Sequence, residues 1–176
     1  DKISSIPIKM VFLGGKKWDA MTVQQLLGRE QVALDAKHRL AMPARYRESV
    51  QLLCADALVL TEHPDGFLLL MPQPKWGSFS QQFAQAGGTS QWLKRIILGG
   101  ACPVVLDSAK RFLLPQVLRQ AAGIDKQVLL VGVGEDFEIW NPADFATQRD
   151  KQRAQRQTDV AAQECDLQTS LQEVRW

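Results

Sequence analysis

Two short stretches of the chain carry the same residue types at the same spacing: LDAKHRLAMP over Leu34–Pro43 and LDSAKRFLLP over Leu106–Pro115. Each sets an arginine four positions after an aspartate and a proline four positions after the arginine: Asp35, Arg39 and Pro43, then Asp107, Arg111 and Pro115. A carboxylate and a guanidinium so placed can do one of two things. As an ion pair they can fix a turn at the solvated end of a strand. Held at a rigid turn, the arginine can instead enter a DNA major groove, where its planar fork matches guanine O6 and N7 and is worth about 1–3 kcal/mol of discrimination. The aspartates would then secure the loop and not touch DNA, because a carboxylate repels phosphate. Basic residues gather at these turns. Arg29, Lys37, Arg39, Arg45 and Arg47 stand against Glu30 and Asp35, and Lys110 and Arg111 lie beside Asp107.

Other chemistries have less to work with. His38 and His63 are the only histidines, neither falls in a nucleophile-elbow, metalloprotease or phosphate-loop pattern, and no glycine-rich turn opens a helix, so no enzymatic motif is present. His38 reads as an exposed loop residue and His63 as a turn residue. Cys54, Cys102 and Cys165 are odd in number and widely scattered, which fits reduced buried thiols better than a disulfide framework or a zinc site. Tyr46 and the five tryptophans are not interleaved with basic residues along one strand and read as core and rim, not as stacking platforms. No metal and no cofactor are expected.

The duplicated turn extends into a duplicated unit. At one constant offset Leu34, Asp35, Arg39, Pro43 and Arg47 fall on Leu106, Asp107, Arg111, Pro115 and Arg119. After a two-residue gap ALVLTEHPDGFLLLMP, ending at Pro72, lies over QVLLVGVGEDFEIWNP, ending at Pro142. The elements that must position each turn follow. Gln31 to Asp35 alternates as a half-buried strand, and Leu40 to Met42 is a short strand. Pro43 suits the first turn of a helix whose Tyr46, Val50 and Leu53 share a face. Leu58 to Thr61 and Phe67 to Met71 flank the turn HPDG as a hairpin. Pro72 and Pro74 open a helix to about Gln85. The second half repeats the order: strands near Val104 to Asp107 and Phe112 to Leu114, a helix from Pro115 stopped by Gly123, a hairpin of Val128 to Val131 with Phe137 to Trp140, and a long polar helix from near Pro142. GGTS at Gly87 to Ser90 is a loop and QWLKRIIL a connecting helix. The fold class is α+β, with two tandem β-β-α-β-β-α repeats.

Length and composition bound what these repeats can do. At 176 residues with 45% hydrophobic and 23% charged, the chain has the profile of a globular protein. Two units of this size are each marginal and should share a core or oligomerise. Apolar runs such as FLLLM are too short to span a membrane, and the N-terminal stretch lacks the pattern of a signal peptide, so a cytoplasmic protein is expected. A formal net charge of +2 is too small for strong nonspecific DNA binding by one copy.

LDAKHRLAMPARYRE, LDSAKRFLLPQVLRQAAG and VLLVGVGEDFEIW, in that order, make the chain from about Gly28 to Phe145 resemble the MraZ family of bacterial transcriptional regulators. The resemblance implies an AbrB-like, SpoVT-type swapped-hairpin fold with a double-psi or β-barrel-like core. It implies a cytoplasmic, nucleoid-associated repressor of the division and cell-wall gene cluster, assembling into rings on G-rich direct repeats in promoter double-stranded DNA, with no membrane partner. By matched position Lys37, His38, Arg39, Lys110 and Arg111 would contact DNA, with Asp35 and Asp107 orienting the turns. His38 and Lys110 stand where the family usually has glycine; if that position requires positive φ, lysine suits it less than histidine, so the second turn is expected to be the altered one. Family members begin close to the first motif, so residues 1–27 read as an N-terminal extension with Met21 as a truer start, and Asp1 to about Leu26 is expected to add no core. The remaining divisions are 28–86 and 101–145 for the two repeats, 87–100 for the linker and connecting helix, and 146–176 for a C-terminal helix and tail. Arg149, Arg153 and Arg156 share a face of that helix, read first as solvated and second as a phosphate-contacting arm. The alternative function is an AbrB-type scaffold or antitoxin-like module whose main partner is protein.

Overall fold

The computed structural model describes residues 25–88 and 90–173, with side chains to residue 157. Strand β1 (Leu26–Ala33), β2 (Arg39–Ala41), helix α1 (Ala44–Cys54), β3 (Ala57–Glu62), β4 (Leu68–Pro72) and α2 (Gln73–Gln85) form the first half. After α3 (Gln91–Ile97) come β5 (Cys102–Val105), β6 (Arg111–Leu113), α4 (Gln116–Ala121), β7 (Gln127–Gly134), β8 (Phe137–Trp140) and α5 (Pro142–Glu173). The β-β-α-β-β-α order therefore occurs twice. Prolines start three of the helices in one way: Pro43, Pro72 and Pro115 are the residues just before α1, α2 and α4, with φ of −55°, −53° and −56° and extended ψ. They cap from outside the helix, where the absent N–H is not needed. Gly123, at φ +59°, turns the chain out of α4.

Strand β1 starts earlier than the alternation at Gln31 indicates. Its whole length pairs with β7, from Leu26 opposite Gly134 to Ala33 opposite Gln127, and Leu26 is fully buried in the core. The expected boundary is corrected to that extent: Leu26 and Leu27 belong to the first strand and Leu26 adds core, while residues 1–24 lie outside the described residues. On α1 the buried stripe is Tyr46, Val50 and Cys54, one residue every four, and Leu53 turns partly to solvent.

Among the described residues six strands form one antiparallel sheet in the order β1-β7-β8-β4-β3-β5, and β2 pairs with β6 apart from it. Exchanging every strand for its counterpart in the other half reads this order backwards, so a pseudo-two-fold relates the halves. Each half places its first strand against the other half's hairpin, β1 on β7 and β5 on β3. The two hairpins meet edge to edge through β4 and β8. One core results, holding Leu40, Met42 and Leu70 together with Phe112, Leu114 and Phe137, and units too small to be stable separately bury their apolar faces jointly.

Two glycines face each other where β1 meets β7, Gly28 opposite Gly132. A Cβ on Gly132 would lie 2.3 Å from the Leu26 carbonyl oxygen, and one on Gly28, at φ +99°, would strike the Arg45 guanidinium. That space lets Arg45 cross β1, donate to the Leu27 carbonyl at 2.5 Å and pair with Glu30 at 3.2 Å.

Candidate nucleic-acid interface

The first turn is built by one carboxylate. Asp35 Oδ1 accepts the backbone N–H of Lys37 at 2.8 Å and of Arg39 at 3.0 Å, while Oδ2 takes the Arg39 guanidinium through Nε at 2.8 Å and NH2 at 2.7 Å. Aspartate is suited to this because its short side chain reaches amides two and four residues on. The backbone closes through Asp35 N–H to the Arg39 carbonyl and His38 N–H to the Asp35 carbonyl, which puts His38 at φ +57°. The second turn has the same geometry. Asp107 Oδ1 accepts from Ala109 and Arg111, each at 2.9 Å, Oδ2 takes Arg111 Nε at 3.1 Å and NH2 at 3.0 Å, and Lys110 sits at φ +59°. The expectation of an altered second turn is thus corrected: lysine adopts the left-handed conformation there because the aspartate bonds and the strand pairing around it fix the backbone.

Strands β2 and β6 hold the turns side by side. Beyond their ladder, the Met42 N–H donates to the Lys110 carbonyl at 2.8 Å and the Leu114 N–H to the His38 carbonyl at 3.1 Å, so each left-handed residue is tied to the other half. The charges then meet across the pseudo-two-fold. Arg39 NH1 lies 3.7 Å from Asp107 Oδ2, and Arg111 NH1 3.9 Å from Asp35 Oδ2. All four side chains are about one-third exposed. The quartet is formally neutral and offers phosphate no long-range attraction. What it offers is orientation: each arginine is gripped on its Nε and NH2 edge, and an arginine carries five N–H donors in all.

The Arg39 guanidinium, hydrogen-bonded to the Asp35 carboxyl, pulls its pKa from the usual 3.8 down to about 2, and Arg111, first through its backbone N–H, holds Asp107 below the usual range. A folded-state pKa below the unfolded one gives stability that is present above the unfolded value and lost as pH falls through the folded one. The turns should therefore stay intact at pH 5 and loosen between about pH 4 and 2. A carboxylate NMR titration should find Asp35 near 2 in the wild type and back toward 3.8 in Arg39→Ala; an unmoved Asp35 in that variant would show that the arginine is not what holds it.

The basic residues around the turns are not one patch. Lys37 and His38 are exposed, and the Lys37 ammonium makes no ion pair among the described residues. Lys110, at a position matched to DNA contact, places Nζ 2.5 Å from Asp56 Oδ2 and 2.7 Å from Gln51 Oε1. Arg29 lies over the Phe145 ring, and Arg45 is bound as described above. Arg47 donates from Nε to the Met42 carbonyl at 2.8 Å, and Arg119 does the same to the Leu114 carbonyl at 3.2 Å. That matched pair, visible in the repeat as an identity of unassigned purpose, ties each helix back to the strand before it. Arg149 pairs with Asp150 on an exposed face of α5.

The family model described as "MraZ protein, putative antitoxin-like" matches residues 97–166. A protein of Cupriavidus pinatubonensis named Transcriptional regulator MraZ is 44% identical over 128 residues, which is 73% of this chain and 90% of that protein. Its namesake in Burkholderia vietnamiensis is 42% identical over 133 residues, 76% of this chain and 94% of the relative. That of an Acidovorax species is 41% identical over 133 residues, covering 76% and 92%.

Proposed function

The chain belongs to the MraZ family, and on that premise we propose that it regulates transcription by binding double-stranded DNA in a sequence-specific way through the face carrying the two turns. The observation that carries the proposal is the pair of matched turns locked together by β2 and β6, each presenting a carboxylate-oriented arginine at the surface. Such an arginine is pre-organised for a guanine edge, and Lys37 beside it is free for phosphate. In this reading the protein is a cytoplasmic, nucleoid-associated repressor of the division and cell-wall gene cluster that reads G-rich direct repeats. The crossed strands β1 on β7 and β5 on β3 support an AbrB-like swapped-hairpin barrel built from repeats at 28–86 and 101–145. A net charge of +2 makes single-copy affinity weak, so several protomers of a ring must engage several repeats, and effective concentration multiplies their contacts.

A protein-docking scaffold or antitoxin-like module is the second reading, favoured by Leu113 and Val117, which are 55% and 76% exposed beside the second turn. Fluorescence anisotropy with the DNA upstream of the chain's own gene, run beside light scattering, separates the two. DNA reading predicts particles of several chains and an affinity at least about tenfold above that for a scrambled duplex. A monomer, or equal affinity for both duplexes, would remove the multivalent mechanism.

A further inference from the structure

The pseudo-two-fold that relates the turns is broken in charge. The Asp56 carbonyl accepts the Leu106 N–H at 3.1 Å, and at the matching place the Lys126 carbonyl accepts the Leu34 N–H at 2.8 Å. Asp56 and Lys126 are therefore counterparts, as are Lys110 and His38 in the turns they flank. On the second side the result is an ion pair, Lys110 with Asp56, whose side chains are 27% and 14% exposed. The first side has histidine and lysine in those same two places, both exposed, and adds Lys37 where the second turn has Ala109. Neither Lys37 nor Lys126 forms an ion pair among the described residues. Because the Asp and Arg quartet is neutral and symmetric, and the exposed Asp125 stands beside Lys126, the unbalanced positive charge of this face is that of Lys37, on the side of the first turn.

We propose that this asymmetry gives each protomer a direction on DNA, with the first turn taking the phosphate contacts and Asp56 setting the difference by cancelling Lys110. The proposal rests on the DNA-binding reading above. Two equal turns would engage a duplex equally well either way round. Phosphate-directed charge on one side alone makes the two orientations unequal, as any repeat unit that is not itself two-fold symmetric requires.

Counterion release gives the test, because the slope of log affinity against log salt counts the cations that neutralise phosphate, at roughly one unit per cation for each engaged turn. Binding would be measured on the upstream duplex and on a scrambled one at several salt concentrations, after oligomer size and thermal midpoint are checked for every variant. Lys37→Ala should lower the slope, Lys110→Gln/Asp56→Asn, which removes both charges of the neutral pair together, should leave it at the wild-type value, and Asp56→Asn alone, which frees the Lys110 ammonium, should raise it. The paired change leaves no uncompensated charge at a mostly buried place, so it decides the matter even where Asp56→Asn alone does not fold. An equal fall for Lys37→Ala and Lys110→Gln/Asp56→Asn, or an unchanged slope in a folded Asp56→Asn protein, overturns the proposal. Wild-type protein that binds neither duplex overturns the DNA-binding reading together with it.

Discussion

Arg39→Lys is expected to leave the folded assembly and its grip on arbitrary DNA nearly intact while removing most of its preference for the cognate repeat. The charge is kept, so the phosphate term changes little. The geometry is not: the Asp35 carboxylate holds the Arg39 guanidinium by two N–H groups, and a planar fork so held can still direct further donors at a base. A lysine that reaches Asp35 has a single nitrogen and no second directed pair. One bidentate contact is worth about 1–3 kcal/mol, so the first turn of each protomer should lose roughly five- to 150-fold in discrimination, and more where several protomers act together. The ratio of cognate to scrambled affinity at two salt concentrations measures this. Should the ratio stay at the wild-type value, the Asp35 and Arg39 pair is a structural bridge and its loss will show in stability alone.

Phe137→Ala should cost about 3–5 kcal/mol of stability, much of the total available to a domain of this size. Phe137 is fully buried on β8, stands opposite Leu70 of the first half's hairpin, and meets the Tyr46 ring of α1 edge-on at 4.9 Å and 72°. It thus packs where the halves meet. Because the first strands are exchanged, the halves should unfold together, with far-ultraviolet circular dichroism and tryptophan fluorescence following one transition in both wild type and variant. Two separated transitions, with only the second half weakened, would contradict a shared core.

The turns were readable because their chemistry is local. An aspartate bonds to amides two and four residues along, an arginine at the fourth position reaches the same carboxylate, and a proline four further on can only begin the next helix. Element order followed for the same reason, since alternation, prolines and glycines mark elements from within. Pairing partners are not marked in that way. Nothing in Leu26 to Glu30 announces that β1 crosses to β7, and without that partner Gly28 gives no sign of making room for Arg45. The basic run from Arg29 to Arg47 looked like one patch because formal charge is visible in a sequence and its neutralisation is not. Arg45 is paired by Glu30 and Lys110 by Asp56, 54 residues away. Arg47 and Arg119 could have been assigned from the repeat: an identity that recurs beside each helix start, off the turn itself, fits a helix-to-strand tie.

Footprinting of the DNA upstream of the chain's own gene asks whether these two turns read a sequence. Wild-type protein should protect short, regularly spaced segments sharing one G-rich repeat, all in the same orientation. A folded Arg39→Ala/Arg111→Ala protein of unchanged oligomer size should protect none of them at the same concentration. Identical protection by that double variant, or wild-type protection spread evenly along the duplex, would contradict the account.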